Sequence, residues 1–122
     1  QRDGKVFVTV GSGGAFPSGT ADLTEEAQRI MDRIALTAMS PDSSITVTGH
    51  TDDIPISNGQ FRDNWDLGAG RAASVVQAIQ NTGLISGDRM SAVSKGEMAP
   101  VADNNTAAGR EQNRRIEIEI SY

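Results

Sequence analysis

The chain has 122 residues, with 11 Lys or Arg against 16 Asp or Glu and a formal net charge of −5. That length suits one domain around one core, and the acidic balance argues against nucleic acid or anionic lipid as a partner. Cysteine is absent, which removes disulfide frameworks and thiolate sites, and no stretch approaches the roughly 18 apolar residues of a membrane span.

The opening Gln1-Arg2-Asp3-Gly4 has no initiator Met and no signal peptide, which suggests an excised piece of a longer protein. Aromatics make up only 4% of the chain, so the core is expected to be built from Val, Ile, Leu, Ala and Met. Lys5 to Val10 alternates, with Val6, Val8 and Val10 on one face, and reads as a strand. Gly11 to Gly14 breaks it, and Ala15 to Ala21 is expected to be irregular around Pro17 and Gly19, with Phe16 turned inward. Asp22, three residues before Glu25, looks like part of a capping box. The helix after it is expected to bury Ala27, Ile30, Met31, Ile34, Ala35 and Ala38, and to stop at Ser40-Pro41-Asp42. Residues 1–22 read as a strand and lead-in segment, and 23–122 as the core of a single domain.

Ile45, Val47 and Gly49 alternate with Thr46, Thr48 and His50 in a second strand. A polar loop follows from Thr51 to Asp63, and Asp63 or Asn64 caps the second helix. Leu67, Ala69, Ala72, Val76 and Ile79 are its expected inner face, and Gly83 closes it. Gly68 and Gly70 are poor helix formers, which implies close packing or the near approach of another backbone. Met90 to Lys95 reads as a short strand, Thr106 to Asn113 as a turn of helix, and Arg115 to Tyr122 as a strand with Ile116, Ile118 and Ile120 inward. The order β-α-β-α-β-β, with two βαβ crossovers and a terminal strand, predicts an α/β fold of the two-layer α+β sandwich kind, a mixed sheet with helices packed on it.

Strand ends and helix starts are where such folds place binding groups. Asp52 ends the second strand, and Arg71 lies on the helix face of Asn64, Leu67 and Gly68. A carboxylate facing a guanidinium would make a two-ended site for a ligand carrying both an ammonium and a carboxylate. The blander alternatives are turn chemistry for Asp52 or Asp53 and a surface pairing of Arg71 with Asp66 or Glu97. His50 and Asp52 point the same way on an ideal strand, so a metal pair or proton relay stands beside a simple hydrogen-bonding role for the histidine. Of Arg114 and Arg115, consecutive in the chain, only one can join a given site. No nucleophile elbow, phosphate loop or zinc spacing is present, and the chain is not read as an enzyme or as needing a cofactor.

Gly49-His50-Thr51-Asp52, Asn64-Trp65-Asp66-Leu67, Arg71-Ala72 and Asn113-Arg114-Arg115-Ile116 together resemble the OmpA-like peptidoglycan-binding domain, over roughly Val6 to Ile120. Within it, Asp52-Asp53-Ile54-Pro55-Ile56 and the long loop to Asn64 are similar to the B subunit of the flagellar motor stator, the MotB/PomB group. Phe16 to Leu23 resembles the sodium-driven PomB type. The resemblance implies a βαβαββ sandwich and binding of the diaminopimelate stem peptide of peptidoglycan. Asp52 would take the ammonium and Arg71 the carboxylate, with Thr51, Asn64 and Arg114 or Arg115 as accessory contacts. Gly68 stands where the family has Ser or another small polar residue. The resemblance further implies a homodimer in the periplasm, on a protein with one upstream membrane helix, partnered by the stator A subunit and by flagellar basal-body ring proteins. A wall-binding module of an outer-membrane porin or lipoprotein is the alternative. The glycine-rich segment Gln1 to Asp22 is expected to be able to hold the site closed.

Overall fold

The structure, a computed structural model, describes residues 4–122; the first three residues of the expected lead-in lie outside it. Strand β1 runs over Lys5–Gly11, helix α1 over Ser12–Ala15 and helix α2 over Glu25–Thr37. Strand β2 is Ser44–His50, helix α3 Asn64–Asn81 and strand β3 Met90–Gly96, followed by helix α4 at Ala107–Asn113 and strand β4 at Arg115–Ser121.

The four strands form one sheet in the order β1-β4-β2-β3. β4 lies between β1 and β2 and is antiparallel to both, while β2 and β3 are parallel. The last strand of the chain is thus an inner strand. β1 and β2 run in one direction but are separated by β4, so the first crossover spans a strand, and only the second joins neighbours. Val6 faces Ile120, Val8 faces Ile118 and Val10 faces Ile116 across one ladder. Ile45 and Val47 face Ile120 and Ile118 across the other. These side chains make the inner sheet face, and α2 and α3 cover it with Ala27, Met31, Ala35, Ala72, Val75 and Ile79. The period-2 alternation of β4 works because its outward positions, Glu117 and Glu119, sit on the uncovered face.

Several sequence expectations are corrected. The stretch after β1 is not irregular throughout: Ser12–Ala15 makes a helical turn, tied by the Ser12 amide donating to the Arg114 carbonyl at 2.9 Å. Asp22 does not cap α2; Thr24 does, its hydroxyl accepting from the Ala27 amide at 3.2 Å. On α3, Ala69 is exposed and Val76 only half-buried, while Val75 and Ala78 are buried in their place. The packed face follows Leu67, Ala72, Val75 and Ile79, because α3 meets the sheet through Gly68, not Ala69.

That contact fixes the site. A Cβ on Gly49 would lie 2.1 Å from the Gly68 carbonyl oxygen, and one on Gly68 would lie 2.5 Å from Ser94 Oγ. Strand β2 and the first turns of α3 therefore touch backbone to backbone, as the two helix glycines implied. Gly70 gives room to the Phe61 ring, 2.8 Å from where its Cβ would be. Phe61 packs with Ala21, Leu67 and Ile56 in a small second cluster that seats the 51–63 loop and the lead-in against α3.

Candidate functional site

In register, Gly11 and His50 both lie opposite Arg115, so β1 and β2 end where β4 begins. α3 starts at the same end after the 51–63 loop. The strand ends and helix start enclose a cavity of about 510 Å3, lined on one side by Thr51, Asp52, Asn64, Leu67, Arg71 and Arg114. That size falls in the range of sites for drug-sized ligands.

Asp52 is 7% exposed. Its Oδ1 accepts from the Ile54 amide at 3.1 Å, and its Oδ2 accepts from Arg114 Nη1 at 2.6 Å. So Asp52 does make an Asx-type turn bond, but half of its carboxylate is turned to a charge. The Thr51 hydroxyl donates to the Asp52 carbonyl at 2.8 Å, and the Thr51 amide extends the sheet to Gly96 at 2.8 Å. Asn64 is a loop clamp: its Nδ2 donates to the carbonyls of Asp52 and Ile54 and to Glu97 Oε1, at 3.3, 3.1 and 3.2 Å. Asp63 caps α3 through the Asp66 amide, which leaves the Asn64 side chain for this work.

Arg71 is buried, and it pairs with neither Asp66 nor Glu97. Its Nε donates to the Thr20 carbonyl at 2.7 Å, and its guanidinium lies 4.9 Å from the centre of the Phe16 ring. Burial, and then the nearby Arg114, pull its pKa below the usual arginine value, with Asp52 opposing. A guanidinium remains charged under all ordinary conditions, so an anion beside this buried one is favoured.

Of the two consecutive arginines, Arg114 enters the cavity. Arg115 is buried on the other side, with Nε on Glu117 Oε2 at 2.6 Å and its remaining nitrogens on the carbonyls of Asn113 and Ala99. His50 is on that side too. Its neighbours are Glu117, whose Oε1 is 3.5 Å from Nε2, and Arg115. β2 ends at His50, opposite Arg115, and the histidine does not line the cavity beside Asp52. Asp53 is exposed. Among the described residues, no cluster of three or more His, Cys, Asp or Glu is placed to hold a metal ion.

No residue of the opposite wall was named as a ligand contact from sequence, although the lead-in Gln1 to Asp22 was expected to be able to close the site. Ser12, Gly13, Phe16, Ser18 and Gly19 come from α1 and the lead-in, and Ile54 to Ile56 from the loop. The available signals were the inward turn of Phe16 and the glycine-rich run before it.

Fold and site define an α/β domain with a charged cavity at the strand ends of a single mixed sheet. The chain belongs to the OmpA family, whose profile matches residues 15–114. It is 34% identical to motility protein B of Bacillus subtilis over 116 residues, 94% of this chain but only 44% of that protein, so it spans under half of that relative's length. Among solved structures, it is similar to the periplasmic domain of Helicobacter pylori MotB, with a TM-score of 0.87 at 27% identity, covering 99% of this chain and 78% of that one. It is also similar to the cell wall anchor of the type VI secretion system (T6SS) of Pseudomonas aeruginosa, with a TM-score of 0.88 at 33% identity, covering 96% and 81%.

Proposed function

We propose that this domain binds peptidoglycan, holding the zwitterionic end of a diaminopimelate residue between Asp52 and Arg71. The observation that carries the reading is the two-ended cavity: a carboxylate and a buried guanidinium, fixed on a strand end and a helix that touch through glycine. Arg71 offers a planar fork suited to a carboxylate. Asp52 offers an acceptor for an ammonium, and Thr51 and Asn64 hold the Asp52 backbone in place. Arg114, the residue before β4, is the arginine of that segment that joins the site, and Arg115 braces the strand behind it.

The likeness to motility protein B and to MotB supports a flagellar stator B subunit as the parent protein. In that role the domain sits in the periplasm, as part of a dimer on an inner-membrane protein with the stator A subunit. It ties the ion-conducting unit to the wall so that force acts on the rotor. The T6SS cell wall anchor favours a second reading, the same wall-binding module on another envelope protein. Motility of a strain carrying the Asp52→Ala change in the parent gene separates the two, since only the stator reading expects paralysis.

The direct test is co-sedimentation of the chain with purified peptidoglycan sacculi. Wild type is expected in the pellet, with Asp52→Ala and Arg71→Ala weakened by at least about tenfold, the usual scale for removing one member of a buried charge contact. Equal pelleting of all three proteins would sink the proposal.

A further inference from the structure

Two guanidiniums share the cavity with one carboxylate. Asp52 is the sole acidic residue among the described residues that line it, against Arg71 and Arg114. The partners of Arg71, a carbonyl oxygen and an aromatic ring, neutralise none of its charge. The cavity therefore carries an excess positive charge in a partly desolvated place, which favours an anion and opposes a bare cation.

The cation end is already taken. Arg114 Nη1 stands 2.6 Å from Asp52 Oδ2, a charge-assisted contact supplied by the chain itself. An ammonium arriving alone would have to share that carboxylate beside two guanidiniums, and like-charge juxtaposition of this kind is costly. A carboxylate on the same ligand changes the balance, because it offers Arg114 another planar partner. The two arginines differ in freedom to respond. The Arg114 side chain is 38% exposed, whereas Arg71 is buried under Phe16 and the lead-in.

We propose that Arg114 guards the cation end: Asp52 accepts a ligand ammonium only when the same ligand brings a carboxylate that draws the Arg114 guanidinium away. This rests on the wall-binding reading above and deepens it. The site selects ammonium and carboxylate together, the pairing found at the free end of diaminopimelate, and rejects an amine alone. Arg114 is then a specificity-determining residue that occupies the site when no ligand does.

The experiment titrates the folded chain with meso-diaminopimelate and, separately, with cadaverine, the diamine left when both carboxylates are removed. Wild type and Arg114→Lys, which keeps the cation, are expected to bind diaminopimelate and to ignore cadaverine. Arg114→Gln is expected to bind cadaverine about tenfold tighter than wild type or better, since the repelling charge is gone. Arg114→Ala should show the same gain if glutamine disturbs the strand start, and melting temperatures check that each variant is folded. No gain for cadaverine in either neutral variant overturns the guarding role, as does a uniform loss of both ligands, which would make Arg114 an ordinary contact. If wild type fails to bind diaminopimelate, the wall-binding reading falls, while the cadaverine comparison still decides what Arg114 does.

Discussion

The imidazole of His50 is buried with neither ring nitrogen hydrogen-bonded. Burial, helped by Arg115 and Lys95, holds its pKa below the usual histidine value, and Glu117 opposes them without prevailing. The consequence has a definite sign. An unfolded histidine takes up its proton near pH 6.5, and the folded chain resists that proton until lower pH. As the solution is acidified through that value, the unfolded state binds a proton that the native state does not, so stability falls. Thermal melts between about pH 7 and about pH 5 should show a steeper loss for wild type than for His50→Gln. Equal slopes would mean that the ring protonates freely in the fold. The same residue shows where single positions mislead. An ideal strand sets His50 and Asp52 on one side, but β2 ends at His50 and Asp52 lies beyond it in the loop, so they meet different neighbours, Glu117 and Arg115 for one and Arg114 for the other.

At the scale of elements, legibility followed periodicity. β4 was plain from alternating Ile and Glu, and α2 from its apolar stripe, because both bury one face against a single partner layer. The turn Ser12–Ala15 was not, since Ser-Gly-Gly-Ala has little intrinsic helicity and tertiary contacts, such as the Ser12 amide to Arg114, hold it. The site followed the same rule. Asp52 and Arg71 could be placed by strand end and helix spacing, and the structure does bring them to one cavity. Which of Arg114 and Arg115 joins them was legible in the alternation of β4, since Arg114 keeps the parity of the inward Ile116, Ile118 and Ile120 and Arg115 that of Glu117 and Glu119. The contact between β2 and α3 yields a prediction for the elements. Gly49→Ala puts a methyl group onto the Gly68 backbone, which cannot yield cheaply. It should cost about 1–3 kcal/mol or more in denaturant unfolding, as overpacking does. Gly87→Ala, whose Cβ would meet only the movable tip of Gln80, should change stability by no more than about 0.5 kcal/mol. Similar losses from both would deny that the backbone approach is special.

For the whole molecule, the position of β4 decides how the parts depend on one another. The inner strand comes last in sequence, so its ladder with β1 closes only when the two ends of the domain meet, Lys5 opposite Ser121, while its ladder with β2 sets the mid-chain Ser44 opposite Ser121. The cavity lies at the far end of the sheet from those residues, where Gly11 and His50 stop. Force applied between Lys5 and the cavity end of β2 thus runs along the strands, not across them. All seven residue pairs between β1 and β4 share such a load at once in shear. Pulling Lys5 away from Ser121, its direct partner, would instead peel the pairs apart singly like a zip. The chain has no cysteine, so handles placed by Lys5→Cys with Asp53→Cys, or with Ser121→Cys, allow the two directions to be compared by single-molecule stretching. The first should rupture at distinctly higher force. The sheet is then toughest along the line that joins the start of β1 to the cavity.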